Sequence, residues 1–140
     1  MATEQKWELH PQLAQDTLAL GDLQLSRVLL SRDANYPWLI VVPRRAGVVE
    51  LIDLPEAEQS GAYWEISKTA RALKSATGCD KLNIGAIGNM VPQLHIHIVA
   101  RSKTDAAWPK PPWGTLPARA YESDAFERLA ATLRAAIGLQ

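Results

Sequence analysis

Apolar and polar residues follow two different periods along this chain, and each change of period marks an element. Over residues 93–101 the alternation is strict: Leu94, Ile96 and Ile98 point one way and Gln93, His95 and His97 the other, as a half-buried strand requires. Apolar runs at residues 23–30 and 38–42 predict two more strands, and the linker between them, with Asp33, Asn35 and Pro37, has the chemistry of a hairpin loop that pairs them antiparallel. Residues 79–87 read as a strand lying beside 93–101. By contrast, Ala62, Ile66, Ala70 and Leu73 recur at helical spacing and predict a long helix that ends at Gly78. Asp53, Pro55 and Glu56 give that helix a capping-box-like start. Phe126, Leu129, Leu133 and Ile137 predict a terminal helix capped by Asp124 with Glu127 and closed by Gly138, and a short helix is expected over residues 10–20. Strands in sequence-adjacent pairs with a helix between the halves define an α+β domain built on an antiparallel sheet.

Composition adds limits rather than function. The 140 residues suit one domain spanning residues 1–140, and 47% apolar with 21% charged residues is the balance of an ordinary globule. Lys+Arg and Asp+Glu number 15 each, so net charge offers no attraction to nucleic acid or membrane, and neither is expected as a partner. Cys79 is the single cysteine, which excludes an intramolecular disulfide and fits a reducing compartment. The segment from Met1 to Trp7 holds no apolar leader core, and the run at 39–42 is too short to span a bilayer; a cytoplasmic location is expected. Residues 102–121 are restrained by prolines, with Trp108 and Trp113 held as a rigid flap.

The chemistry concentrates in residues 83–101. Two imidazoles two residues apart on a strand have Cβ atoms roughly 6.5–7 Å apart, so both reach one phosphate-sized group. Upstream, Gly85, Gly88 and Asn89, followed by Val91 and Pro92, form a turn able to bring backbone N–H groups to an anion. His-x-His also supplies two zinc ligands, but a third is needed, and the remaining histidine is His10 with no cysteine pair beside it; no metal site is expected.

The run Gln93-Leu94-His95-Ile96-His97-Ile98-Val99, with Asn83-Ile84-Gly85 and Gly88-Asn89 before it, resembles the signature of the histidine triad (HIT) family of nucleotide hydrolases and transferases. That pattern is three histidines alternating with apolar residues after an Asn-x-Gly and a Gly-Gln turn. The resemblance covers about residues 23–101, with 102–140 adding the Pro/Trp segment and the terminal helix. Gln93 stands at the first histidine, Asn89 at the turn glutamine, and Trp38 where many members carry a fourth histidine.

The resemblance implies an antiparallel sheet of about five strands with a long central helix and a C-terminal helix. It implies a nucleotide phosphoramidase, nucleotidyl hydrolase or transferase in which His95 attacks phosphorus and forms a nucleotidyl-histidine. His97 and the Gly88-Asn89 backbone would stabilise phosphoryl oxygens, and Asn83 would assist them. Gln93 is a further substrate-binding candidate, as is Asp33, near where members bind ribose. The implied partners are a purine nucleotide or dinucleotide and a second copy of the chain in a homodimer. No cofactor is required, and magnesium would arrive only on the nucleotide. The alternative is a nucleotide-binding or regulatory module with little turnover, because glutamine at position 93 cannot relay a proton. Arg101 and Lys103, just past the strand, read as exposed charges or polyphosphate contacts, and Trp38 as a core residue or a wall of the base pocket.

Overall fold

A computed structural model describes residues 5–139; Met1 to Glu4, part of the expected leader-free terminus, and Gln140, the last residue of the expected domain, lie outside the described residues. The elements run α1 (Pro11–Asp16), β1 (Thr17–Asp22), β2 (Ser26–Ser31), β3 (Trp38–Pro43), a 3-10 turn (Leu51–Asp53), α2 (Glu56–Thr77), β4 (Lys81–Gly85), β5 (Ile96–Arg101) and α3 (Ala125–Ile137). The five strands form one antiparallel sheet in the order β1-β2-β3-β5-β4. This is the expected α+β fold, with β2 and β3 paired as the hairpin chemistry required.

Alternation along the central strands builds two apolar layers. Leu39 and Val41 of β3, with Ile96 and Ile98 of β5, face α2 and α3 and pack with Ile66, Leu73, Leu133 and Ile137. Ile40 and Val42 face the other way, under Trp7, Leu9 and Leu13 of the N-terminal segment. Val99 and Tyr36 lie on that side too, against Trp113 and Leu116. Burial on both faces explains why 38–42 is an unbroken apolar run, and each such side chain contributes about 1.5–3 kcal/mol.

Several boundaries depart from the sequence reading. The expected helix over 10–20 is cut at Asp16, and residues 17–22 instead extend the sheet, pairing Thr17 with Ser31 and Asp22 with Arg27. A six-residue helix fixes few backbone hydrogen bonds, so the ladder to β2 outweighs it. The strand expected from residue 23 begins at Ser26, because residues 23–25 make the turn from β1, with the Leu23 N–H on the Ser26 carbonyl. At α2 the Asp53–Glu56 capping box does not form: Pro55 is the N-cap, and the Asp53 carboxylate accepts from the Val49 and Glu50 N–H groups to close the preceding turn. Asp124 likewise caps nothing through its side chain and sits at φ 68°. The strands expected over 79–87 and 93–101 shorten to Lys81–Gly85 and Ile96–Arg101. Residues 86–95 leave the ladder between them as a loop whose Leu94 N–H bonds the Val48 carbonyl.

Candidate active site

Pairing register brings the site together. His97 lies opposite Ile40 on β3 and Gly85 on β4, on the sheet face away from α2 and α3. His95 precedes β5, and the two imidazole centroids are 4.9 Å apart at 75°. His95 is 6% exposed, and its Nδ1 lies 2.7 Å from the Gln93 carbonyl oxygen. A carbonyl only accepts, so this bond assigns the proton to Nδ1 and leaves the Nε2 lone pair free.

The arrangement at His97 is the reverse. Its Nδ1 accepts from the Trp38 indole Nε1–H at 3.0 Å, and an indole only donates, so the His97 proton sits on Nε2. Burial, reinforced by repulsion from His95, lowers the His97 pKa from 6.5 to about 4, and the ring is neutral at pH 7. Trp113 closes the other flank, 5.8 Å from His97 between centroids. A Cβ on Gly85 would stand 3.4 Å from the Trp113 ring, so Trp113 lies directly over this glycine.

Gly88 and Asn89 line a cleft of about 90 Å³ with Glu50, Gln93 and His95. That is well below the volume usual for a site that holds a whole small ligand, and suits a phosphoryl group rather than a nucleoside. A larger cavity of about 470 Å³, within the usual span of roughly 300–1,000 Å³ for small-ligand sites, lies on the far side of Trp38, lined also by Asp16, Arg32, Asp33 and Arg119.

The remaining expected site residues are engaged within the protein. Gln93 shares the sheet side of His95, but its side chain turns to the N-terminal segment: Oε1 accepts from the His10 N–H at 2.9 Å and Nε2 donates to the Glu8 carbonyl at 2.8 Å. Of the His95–His97 pair, only His95 is met by Gln93, through the backbone carbonyl. Asp33 borders the larger cavity while its Oδ1 accepts from Asn35 and from the Arg119 N–H, tying the β2–β3 loop to the segment before α3. Asn83 pairs with Val99, and its Oδ1 accepts from Arg101 Nη1 at 2.8 Å. Arg101 is 1% exposed, neither the solvated charge nor the polyphosphate contact expected of it. Its guanidinium grips Asp105 through two bonds of 2.9 and 3.0 Å between the rings of Tyr36 and Trp108. Arg45, by contrast, is an exposed partner of Glu58.

Sequence reasoning missed the N-terminal segment as a neighbour of the site and Trp113 as the flank of His97. The first rests on bonds spanning more than 80 residues, which no local pattern announces. The second had a signal, a tryptophan locked among prolines, that pointed to rigidity without a docking place. Among the described residues, no group of three or more His, Cys, Asp or Glu side chains is gathered as for a metal ion.

The family profile for the HIT domain matches residues 12–104. A histidine triad protein of Bradyrhizobium japonicum has a similar structure, 52% identical, covering 95% of this chain and 99% of its own with a TM-score of 0.93. One from Marinobacter aquaeolei is 39% identical over 96% of this chain and 98% of that one, TM-score 0.92. One from Sinorhizobium meliloti is 38% identical over 92% and 96%, TM-score 0.89. No curated protein sequence matches the chain. With the family profile spanning most of its length and these structures matching it almost throughout, the chain belongs to the histidine triad family, whose members bind nucleotides.

Proposed function

We propose that this chain is a nucleotidyl hydrolase or transferase, acting on nucleotide phosphoramidates or dinucleoside polyphosphates. The observation that carries this is the 2.7 Å contact of His95 Nδ1 with the Gln93 carbonyl, which presents Nε2 as an unprotonated nucleophile. His95 Nε2 forms a bond to the α-phosphorus, and the bond to the leaving group breaks. The electron pair departs with that group, which takes its proton from solvent. The Gln93 carbonyl stabilises the charge that develops on the imidazole, and the Gly88-Asn89 backbone and His97 Nε2–H meet the phosphoryl oxygens. Water then attacks phosphorus and gives up a proton to solvent; the P–N bond breaks with its electron pair returning to Nε2, and the nucleoside monophosphate is released. The nucleoside occupies the cavity beside Trp38 and Asp33, with its phosphate reaching the cleft at His95. Asn83 keeps its amide N–H groups for a phosphate oxygen.

No cofactor enters these steps, and magnesium comes only with the substrate; turnover therefore survives exhaustive chelation. The chain is read as one domain working as a cytoplasmic homodimer. Support for pairing comes from β4, an edge strand with Ile84 half exposed, and from the outward-facing Ile52 and Met90. No described helix is long and apolar enough to cross a membrane.

A second reading, a nucleotide-binding module with little turnover, is favoured by one observation: the Gln93 side chain serves the N-terminal segment and relays no proton. Incubation with an adenosine phosphoramidate and with a diadenosine polyphosphate separates the two. Release of AMP, with a nucleotidyl adduct on His95 in quenched reactions, supports catalysis; tight binding without AMP supports the module.

A further inference from the structure

We propose that Trp38 is a positioning residue that holds His97 with its proton on Nε2, so that this ring serves nucleotidyl transfer as a fixed hydrogen-bond donor and not as a proton carrier. The inference rests on the reading given above. It goes beyond it by assigning a task to a residue that stands where a fourth histidine would be.

The geometry is specific. Trp38 opens β3 opposite Val99, and Tyr36 meets its ring edge-on with centroids 6.2 Å apart. From there its only polar atom reaches His97 Nδ1 at 3.0 Å. A histidine at this position would both donate and accept, leaving His97 either tautomer; an indole N–H allows one. Protonating Nδ1 would set two N–H groups against each other in a half-buried site. The groups packed against His97 are Trp38 of β3, Trp113 of the Pro/Trp segment, Gly85 of β4 and His95, and of these only His95 titrates. Nothing there offers a negative charge to an imidazolium, in agreement with the lowered His97 pKa. The Nε2–H is thereby committed before substrate arrives, and a donor that needs no reorientation is most effective where charge develops on phosphoryl oxygen.

The test is nitrogen-15 NMR of the imidazoles together with steady-state kinetics on an adenosine phosphoramidate. In the parent protein His97 shows an unprotonated Nδ1 and a protonated Nε2, unchanged from about pH 5.5 to about pH 9. Trp38→Phe keeps an aromatic ring and removes the N–H: His97 then populates both tautomers, and kcat falls about tenfold, the weight of one neutral hydrogen bond, with a smaller change in KM. Trp38→His restores a donor and part of the loss. A parent spectrum with Nδ1 protonated overturns the proposal whether or not the variants fold. So does a Trp38→Phe protein that keeps the Nε2–H tautomer, or one that loses it with kcat unchanged. If no nucleotidyl substrate turns over in the parent, the functional reading falls with the kinetic arm, while the spectra still decide what Trp38 does to His97.

Discussion

Arg101 provides the sharpest test, because its position after the motif strand suggests phosphate binding while its surroundings assign it to the core. The side chain is 1% exposed and that of Asp105 8%, joined by two bonds of 2.9 and 3.0 Å, with a third bond of 2.8 Å to Asn83. Replacing Arg101 with methionine leaves a nearly buried carboxylate unpaired, which costs about 3–5 kcal/mol. For a chain of this size that lowers Tm by roughly 10–20 °C, measured by calorimetry or denaturant titration. Removing both partners, in Arg101→Met with Asp105→Leu, recovers part of the loss, since no orphan charge remains but the Ser102 and Ala107 N–H groups lose their acceptor.

The pair also has a pH signature. The hydrogen bond from Arg101 holds the Asp105 pKa below its ordinary 3.8. A carboxylate with a lowered folded-state pKa adds stability that is complete above its unfolded value and lost as pH falls through the folded one. The parent should therefore lose this contribution only below about pH 4, the ordinary aspartate range, and Arg101→Met should show little of that acid-side loss. A loss under about 1 kcal/mol in Arg101→Met, together with a raised KM, would return Arg101 to the substrate and refute the argument.

Three further outcomes follow from the same geometry. His95→Ala abolishes turnover with folding and nucleotide binding retained, checked by AMP release and by titration of a fluorescent nucleotide. His97 carries a folded-state pKa of about 4 against an ordinary 6.5, so the unfolded chain binds the proton more readily, and its contribution makes stability rise with pH across that interval; His97→Asn flattens the rise in a pH series of denaturant melts. Gln93→Ala removes both bonds to the N-terminal segment, costing about 1–3 kcal/mol and speeding amide exchange at His10, while the backbone carbonyl at His95 and the kcat it supports remain.

Local patterns were legible wherever one face of an element decides its burial. The stripe through Ala62, Ile66, Ala70 and Leu73 placed α2, and the alternation at 94–98 placed the two histidines together on the side opposite α2. What stayed hidden depends on long-range partners. Residues 17–22 look weakly helical alone and become a strand because β2 offers a ladder. Asp53 resembles a helix cap and closes the turn before it, since Pro55 leaves the N-cap to itself. Arg101 reads as a surface charge because Tyr36 and Asn83 come from distant parts of the chain, while Asp105 and Trp108 reach it only through the fold of the loop after β5. At the site, types and spacing pointed to the His95–His97 pair and to the turn before it, but neither revealed which side-chain atoms were already spoken for.

Gln93 and Trp38, which stand where the family resemblance would place imidazoles, share a physical consequence. Each puts a group with no proton to exchange near neutrality where an imidazole would stand, yet the nucleophile is oriented by a backbone carbonyl that any residue at position 93 supplies. His97, its Nδ1 held by Trp38 and its ring buried, keeps its Nε2 proton. On the proposed mechanism the site keeps a nucleophile and fixed donors, while among the described residues no acid faces the departing group. General acid assistance contributes about 10²–10⁴-fold, and most when the leaving group is a strong base. Turnover should therefore fall steeply from p-nitrophenyl to phenyl esters of AMP, in proportion to leaving-group basicity, as measured by AMP release at one pH. A flat series with chemistry rate-limiting, verified by single-turnover rates, would reveal an acid in the site and end the argument that these substitutions removed proton transfer while preserving attack.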